Sequence, residues 1–232
     1  MLLFRLIVLH YALNHPRAPP YLQDMKYDFI EIGTSDFDTC IQKAAVTGER
    51  GMSVEPLQEY LDRLPDVPSV TKVNVAISDA PGTETIYYLS PEDITNYKMP
   101  YLTRGCQMLG RIHPVQEEHL ALRGYDPAKV IRTKDIPVWT YEQLAEKYEV
   151  NEPPGFLKID TEGNDWRILD AALNYWLRQN AKGFDLFPRR LLFENNARTS
   201  PERREYIIKR LIEEGGYKRI NQHRKEDCEM VR

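Results

Sequence analysis

Phe156 to Trp166 reads FLKIDTEGNDW, a short apolar run that stops abruptly in Asp160, Glu162 and Gly163. A run of strand length with such an ending predicts a buried strand that delivers acidic groups to its carboxyl end. Two other runs have the same shape. Tyr27 to Gly33 (YDFIEIG) ends in a glycine, and Gly51 to Pro56 (GMSVEP) places Glu55 at its tip. Three buried strands with polar tips predict an open α/β sheet whose ligand crevice lies at that edge. Lys158 sharpens the expectation, because a lysine inside a buried strand is costly unless it is paired. Side chains alternate along a strand, so Lys158 shares a face with Asp160, and Glu31 with Gly33. If the two strands are neighbours, a Glu31–Lys158 ion pair follows.

Outward from this stretch the chain alternates strand and helix. After the strand at Asp28 to Ile32, Gly33 permits a tight turn, and Thr34 and Ser35 lead into a helix from Asp38 to Thr47 whose opening amides can face a polar ligand. Glu55 follows that turn by about 20 residues, the spacing at which a Rossmann-like carboxylate accepts bonds from ribose hydroxyls. A helix at Leu57 to Leu64 precedes a third strand, Lys72 to Ile77, tipped by Ser78-Asp79. Pro81-Gly82 then reads as a hairpin turn into Thr85 to Leu89. From Ser90 to Asp126 no period is sustained. A connection this long, rich in tyrosine and methionine, reads as a substrate lid or insertion rather than a disordered linker.

Lys129 to Thr140 is expected to be extended, and Tyr141 to Tyr148 helical with Leu144 inward. Asp165 to Asn180 is a helix carrying the stripe Trp166, Leu169, Leu173 and Trp176. Arg190 to Phe193 makes a fifth strand, tipped by Glu194-Asn195-Asn196. Ser200 is placed to cap a helix from Pro201 to Glu214, and Gly215-Gly216 to end it. Tyr217 to Asn221 and the tail Glu226 to Val231 complete the pattern.

The 232 residues, 42% hydrophobic and 28% charged, suffice for one sizeable core. Residues 27–232 are read as that domain, behind an extension at 1–26. A formal net charge of -4 gives no reason to expect a nucleic-acid partner, since such a binder normally shows a clustered basic surface. Cys40, Cys106 and Cys228 have no metal or redox spacing, so they read as ordinary thiols in a reducing, cytoplasmic setting. Residues 1–13 (MLLFRLIVLHYAL) are apolar but fall short of the roughly 20 residues that span a bilayer. They read as a packed N-terminal element or, alternatively, as a secretory core or membrane anchor, and they are the one route to a membrane.

FIEIG, SVEP, NVAISD, FLKIDTEGNDWRIL, LLFENN and a closing GGY together resemble the FkbM-type methyltransferases, a branch of the class I S-adenosylmethionine-dependent enzymes, from Tyr27 to the C-terminus. The resemblance implies a Rossmann-like, doubly wound, seven-stranded, mostly parallel sheet with one antiparallel strand and helices on both faces. It implies S-adenosyl-L-methionine as methyl donor and O-methylation of a small-molecule or glycan hydroxyl. By position, Glu31 and Gly33, with Thr34 and Ser35 beside them, match the turn at the donor's amino-acid end. Glu55, followed by Pro56, matches the ribose-binding acid, and Ser78 with Asp79 the adenine-side turn. Asp160, Glu162 and Gly163 match the acidic motif after the strand. Where the family carries a second glycine this chain has Asp36-Phe37, which implies a shifted loop or a weaker donor site.

Methyl transfer from a sulfonium is an in-line displacement that asks the protein to align the partners and accept a proton. Asp160 and His113, the latter in the presumed lid, are the candidate proton acceptors. Asp160, Glu194 and Asn195 offer oxygen ligands suited to Mg²⁺, or the same three hold the donor and a helix N-terminus without metal. A nicotinamide-dependent oxidoreductase would carry G-x-G-x-x-G after the first strand, and Gly33 to Phe37 lacks it. A non-catalytic methyltransferase-like binding protein is the reading from another class, with Asp36-Phe37 as its hint.

Overall fold

Two apolar strands lie side by side at the centre of the fold: β1 (Phe29–Ile32) and β8 (Phe156–Ile159), parallel, with Glu31 level with Lys158. The computed structural model describes residues 26–36, 39–99, 108–110, 114–194, 198–220 and 227–232. The N-terminal segment 1–13, Phe37, Cys106, His113 and Asn195 lie outside the described residues, and so do the expectations that rest on them.

On one side of β1 the sheet continues through β2 (Gly51–Val54) to β3 (Val70–Val73). On the other side β8 leads to β9 (Arg190–Glu194), then β11 (Asp227–Val231), then β10 (Lys218–Arg219). These seven strands are parallel except β11, which runs antiparallel to both its neighbours. The order reverses direction between β1 and β8, so this is the topological switch point where an open α/β sheet binds its ligands. Right-handed crossovers to opposite sides of such a point place helices on both faces.

The burial pattern follows from alternation. Ile30 and Ile32 face a core built with Leu157, Ile159 and Trp176. Helices α6 (Tyr141–Lys147), α7 (Asp165–Asn180) and α8 (Pro201–Glu213) supply Leu144, Leu169, Leu173, Ile207 and Leu211 to it. Glu31 points to the opposite face, where α1 (Cys40–Thr47) and the short α2 (Gln58–Leu61) enclose Ile41, Leu61 and Leu64. Of the expected stripe on α7, Leu169, Leu173 and Trp176 are fully buried, while Trp166 packs at the margin with the Arg167 and Arg203 guanidiniums over its ring. Ser200 precedes α8 without a side-chain cap bond, and Gly216, at φ 72°, turns the chain out of it.

One stretch departs from expectation. Lys72 to Ile77 is not one strand: the chain breaks at Asn74, whose amide donates to the carbonyls of Glu55 and Pro56. Beyond the break, β4 (Ala76–Ser78) joins a second sheet with β5 (Gly82–Leu89), β6 (Met108–Leu109) and β7 (Ile131–Thr140), in the order β4-β7-β5-β6. Ala76 and Gly82 both pair with Val138, from opposite sides. The Pro81-Gly82 turn therefore crosses over β7 instead of closing a hairpin.

Part of the aperiodic stretch is regular. Helices α3 (Pro91–Asn96), α4 (Pro114–Leu122) and α5 (Pro127–Val130) fall in or beside it. Leu89, Ile94, Met99, Leu120 and Val130 form a small core of their own there. Among the described residues no helix is long and apolar enough to cross a membrane.

Candidate functional site

The carboxyl ends of β1, β2, β8 and β9 carry the acids the sequence singled out, and hydrogen bonds tie them into one rim. Gly33 turns the chain at φ 82°, and a Cβ there would come within 2.1 Å of the Asp160 carbonyl oxygen. Only glycine lets β1 leave the sheet that close to the end of β8.

The expected ion pair is present: Lys158 Nζ lies 2.9 Å from Glu31 Oε1. The other Glu31 oxygen accepts the Cys40 N–H that opens α1, at 2.8 Å. Burial pushes the Glu31 carboxyl up, against the pull of Lys158 and that N–H. Burial works against the charge on Lys158 too, but Glu31 and then Asp160 outweigh it and hold the ammonium well above its ordinary range. Glu31 thus ties β1 to β8 and to the start of α1.

Glu55, buried at the tip of β2, accepts the Ser35 N–H at 2.9 Å on one oxygen and the Leu57 N–H at 3.0 Å on the other. Burial lifts its carboxyl to about 7 while these two bonds hold it down. Ser35 reaches it by adopting a left-handed conformation, φ 51°. Thr34 is buried behind the turn, and Asp36, at the departure from the family pattern, faces Arg63 at 3.7 Å. Pro56 is fixed through its carbonyl by Asn74.

Ser78 ends β4 of the second sheet and Asp79 follows it, and both are tied to the chain just beyond Asp160. The Asn164 amide donates to the Ile77 carbonyl at 3.1 Å and to Ser78 Oγ at 3.3 Å. Arg167 reaches Asp79 at 3.2 Å. Gly33, Glu55, Ser78 and Asp160, far apart in sequence, are thereby linked at one edge.

Beyond Asp160 the chain packs three carboxylates together. One oxygen each from Asp160, Glu162 and Glu194 lies within 4.8 Å of the others. Asn195, the third ligand in the expected metal set, lies outside the described residues, and Glu162 takes its place. Oxygen ligands of this kind suit a hard cation. The cluster, however, holds a cation of its own chain: Arg198 Nε is 2.7 Å from Glu162 and Nη1 is 3.5 Å from Glu194. Glu194 is pushed up to about 10 by burial and then by Glu162, Asp165 and Asp160, with Arg198 opposing. Of these side chains Asp160 is the most open, 41% exposed against 13% for Glu162 and 14% for Glu194.

Two residues of the site were not singled out in the sequence. Asp165, read there only as the start of a helix, is buried and accepts the Thr161 N–H (2.9 Å), the Thr161 hydroxyl (2.5 Å) and the Glu194 N–H (2.9 Å). It braces the ends of β8 and β9, and burial raises its carboxyl to about 7. An aspartate directly after a glycine-asparagine pair was its available signal. Arg198 sits in a loop without periodicity and gave none.

Two open hollows, of about 230 and 300 Å³, lie elsewhere: one beside Ala145, Val150 and Leu186, the other beside Asp66, Pro68 and Val70. Neither is lined by Gly33, Glu55, Ser78, Asp160, Glu162 or Glu194.

Compared with known proteins, the Methyltransferase FkbM domain family matches residues 27–218 of this chain. No curated protein matches it. Among solved structures, a "Human methyltransferase 10 domain containing protein" is similar at 10% identity and a TM-score of 0.37, over 97% of this chain and 80% of that one.

Proposed function

The chain belongs to the FkbM methyltransferase family, and on that premise we propose that it is an S-adenosylmethionine-dependent O-methyltransferase acting on a hydroxyl of a small molecule or glycan. The observation that supports this reading is that Gly33, Glu55 and Asp160 meet at the carboxyl ends of β1, β2 and β8 at the switch point, with Ser78 of the second sheet joined to the loop after β8 through Asn164. When bound, the donor supplies an electrophilic methyl group on a sulfonium.

The residues of the chain do the rest. Glu55 would hold the ribose hydroxyls, its two oxygens aimed by the Ser35 and Leu57 N–H groups that they accept. Pro56, Ser78 and Asp79 would line the adenine side, and Glu162 and Gly163 would shape the loop beside the donor. Asp160, the most open acid there, accepts the acceptor's proton. Residues 90–126 cover the acceptor as a lid. The acid rim suits a cationic donor by simple electrostatics.

The test is transfer itself. The protein is incubated with isotope-labelled donor and fractionated hydroxyl-bearing extracts, and labelled products are identified by mass spectrometry. A labelled methyl ether formed by the wild type and lost in Asp160→Asn supports the proposal. Label on nitrogen or carbon would contradict it.

A further inference from the structure

The metal expected at the acidic edge and the arginine found there make competing claims on the same three carboxylates. Four observations favour the arginine. The guanidinium contacts two of the three acids, Glu162 at 2.7 Å and Glu194 at 3.5 Å. The loop is shaped to receive its backbone: Gly163 has φ 99°, and a Cβ there would lie 3.1 Å from Arg198 Cβ and 3.2 Å from its carbonyl oxygen. Thr199 next to it donates to the Gly163 carbonyl at 3.4 Å. Asp165 fixes both strand ends through Thr161 and Glu194, so the acids converge on the guanidinium instead of relaxing away from one another.

Charge makes the same point. Like carboxylates this close cannot all ionise without counter-charge. The chain supplies two cations, Arg198 between Glu162 and Glu194 and Lys158 beside Asp160. With those in place a divalent ion would have to displace a fixed guanidinium.

We propose that Arg198 is a positioning residue, the built-in counter-cation that holds Glu162 and Glu194 around Asp160, and that methyl transfer by this chain therefore needs no divalent metal. The second half rests on the methyltransferase reading; the first half does not.

The experiment has two arms, both on the full chain. In the first, Mn²⁺ is titrated and followed by electron paramagnetic resonance. Wild type should show no tight site. Arg198→Ala should bind Mn²⁺ about tenfold tighter or more, the size of one charge-assisted contact removed. Adding Glu194→Gln to that variant should abolish the gain. A micromolar stoichiometric Mn²⁺ site in the wild type, or an unchanged affinity in Arg198→Ala, would overturn the proposal. In the second arm, turnover should survive a chelator, fall about tenfold or more in Arg198→Ala with donor affinity kept, and recover in part with added guanidinium ion. Arg198→Lys, which keeps charge without the planar fork, should lie between. Turnover lost to chelation and restored by Mg²⁺ would overturn it. If no acceptor is ever methylated, the methyltransferase reading fails, while the Mn²⁺ arm still decides the role of Arg198.

Discussion

Lys158→Met is the substitution with the largest consequence for the fold relative to its size. It leaves Glu31, fully buried, facing a thioether where an ammonium stood 2.9 Å away. Removing one partner of a buried pair costs about 3–5 kcal/mol, because the remaining charge is desolvated without compensation. Against a total of about 5–15 kcal/mol this is a large share. At about 2–4 °C per kcal/mol for a domain of this size, Tm should fall by about 6–20 °C. Glu31→Gln with Lys158→Met removes both charges and keeps an acceptor for the Cys40 N–H, so the double variant should recover to within about 1–2 kcal/mol of wild type. The coupling energy should then reach about 3 kcal/mol, the upper end for residues in contact.

The pH dependence has a defined sign. In Lys158→Met the folded-state pKa of Glu31 rises further above its ordinary value, so the folded variant takes up a proton that the unfolded chain releases, and its deficit should shrink as pH falls. Urea denaturation of the four proteins of the cycle, at neutral pH and again at about pH 5, measures all of this. Lys158→Met within about 1 kcal/mol of wild type, or single effects that simply add, would refute the reasoning.

Other substitutions probe the remaining parts. Gly33→Ala combines a left-handed φ, costing about 1–2 kcal/mol, with overlap on the Asp160 carbonyl, worth about 1–3 kcal/mol as overpacking; calorimetric Tm should drop by several degrees and donor binding should be lost. Glu194→Gln tests the buried acid. The folded pKa, about 10, stands above the ordinary carboxyl range, so wild-type stability should decline as pH rises between those values, and the variant should show a flatter Tm profile. Asp160→Asn should lower kcat by about a hundredfold or more with donor affinity nearly intact; a change confined to KM would remove it as the base. His113→Ala is the matching test of the lid histidine, and unchanged turnover would leave Asp160 as the proton acceptor.

The centre of the fold was legible because its signals are local. FLKID and FIEIG are apolar runs with polar tips, and alternation along each, with the two strands taken as neighbours, paired Lys158 with Glu31. The break at Asn74 was not legible, since VNVAIS looks continuous until the Asn74 amide is seen capturing the Glu55 and Pro56 carbonyls. The second sheet was hidden for a related reason: β5 and β7 pair from Gly82↔Val138 to Leu89↔Ile131, a long-range register that no short window contains. At the site, Glu55 and Asp160 stood out as strand tips. Arg198 did not, because its role depends on Gly163 letting a distant loop lie against the acidic turn. Its charge alone marked it as one arginine among many.

The central claim is a donor site at the linked ends of β1, β2 and β8, and isothermal titration with S-adenosylmethionine and its demethylated product tests it most directly. The account predicts one site per chain with micromolar affinity for both, weakened about tenfold or more in Glu55→Ala as the ribose bonds are lost. No binding of either compound to the wild-type protein, or equal binding to Glu55→Ala, would contradict it.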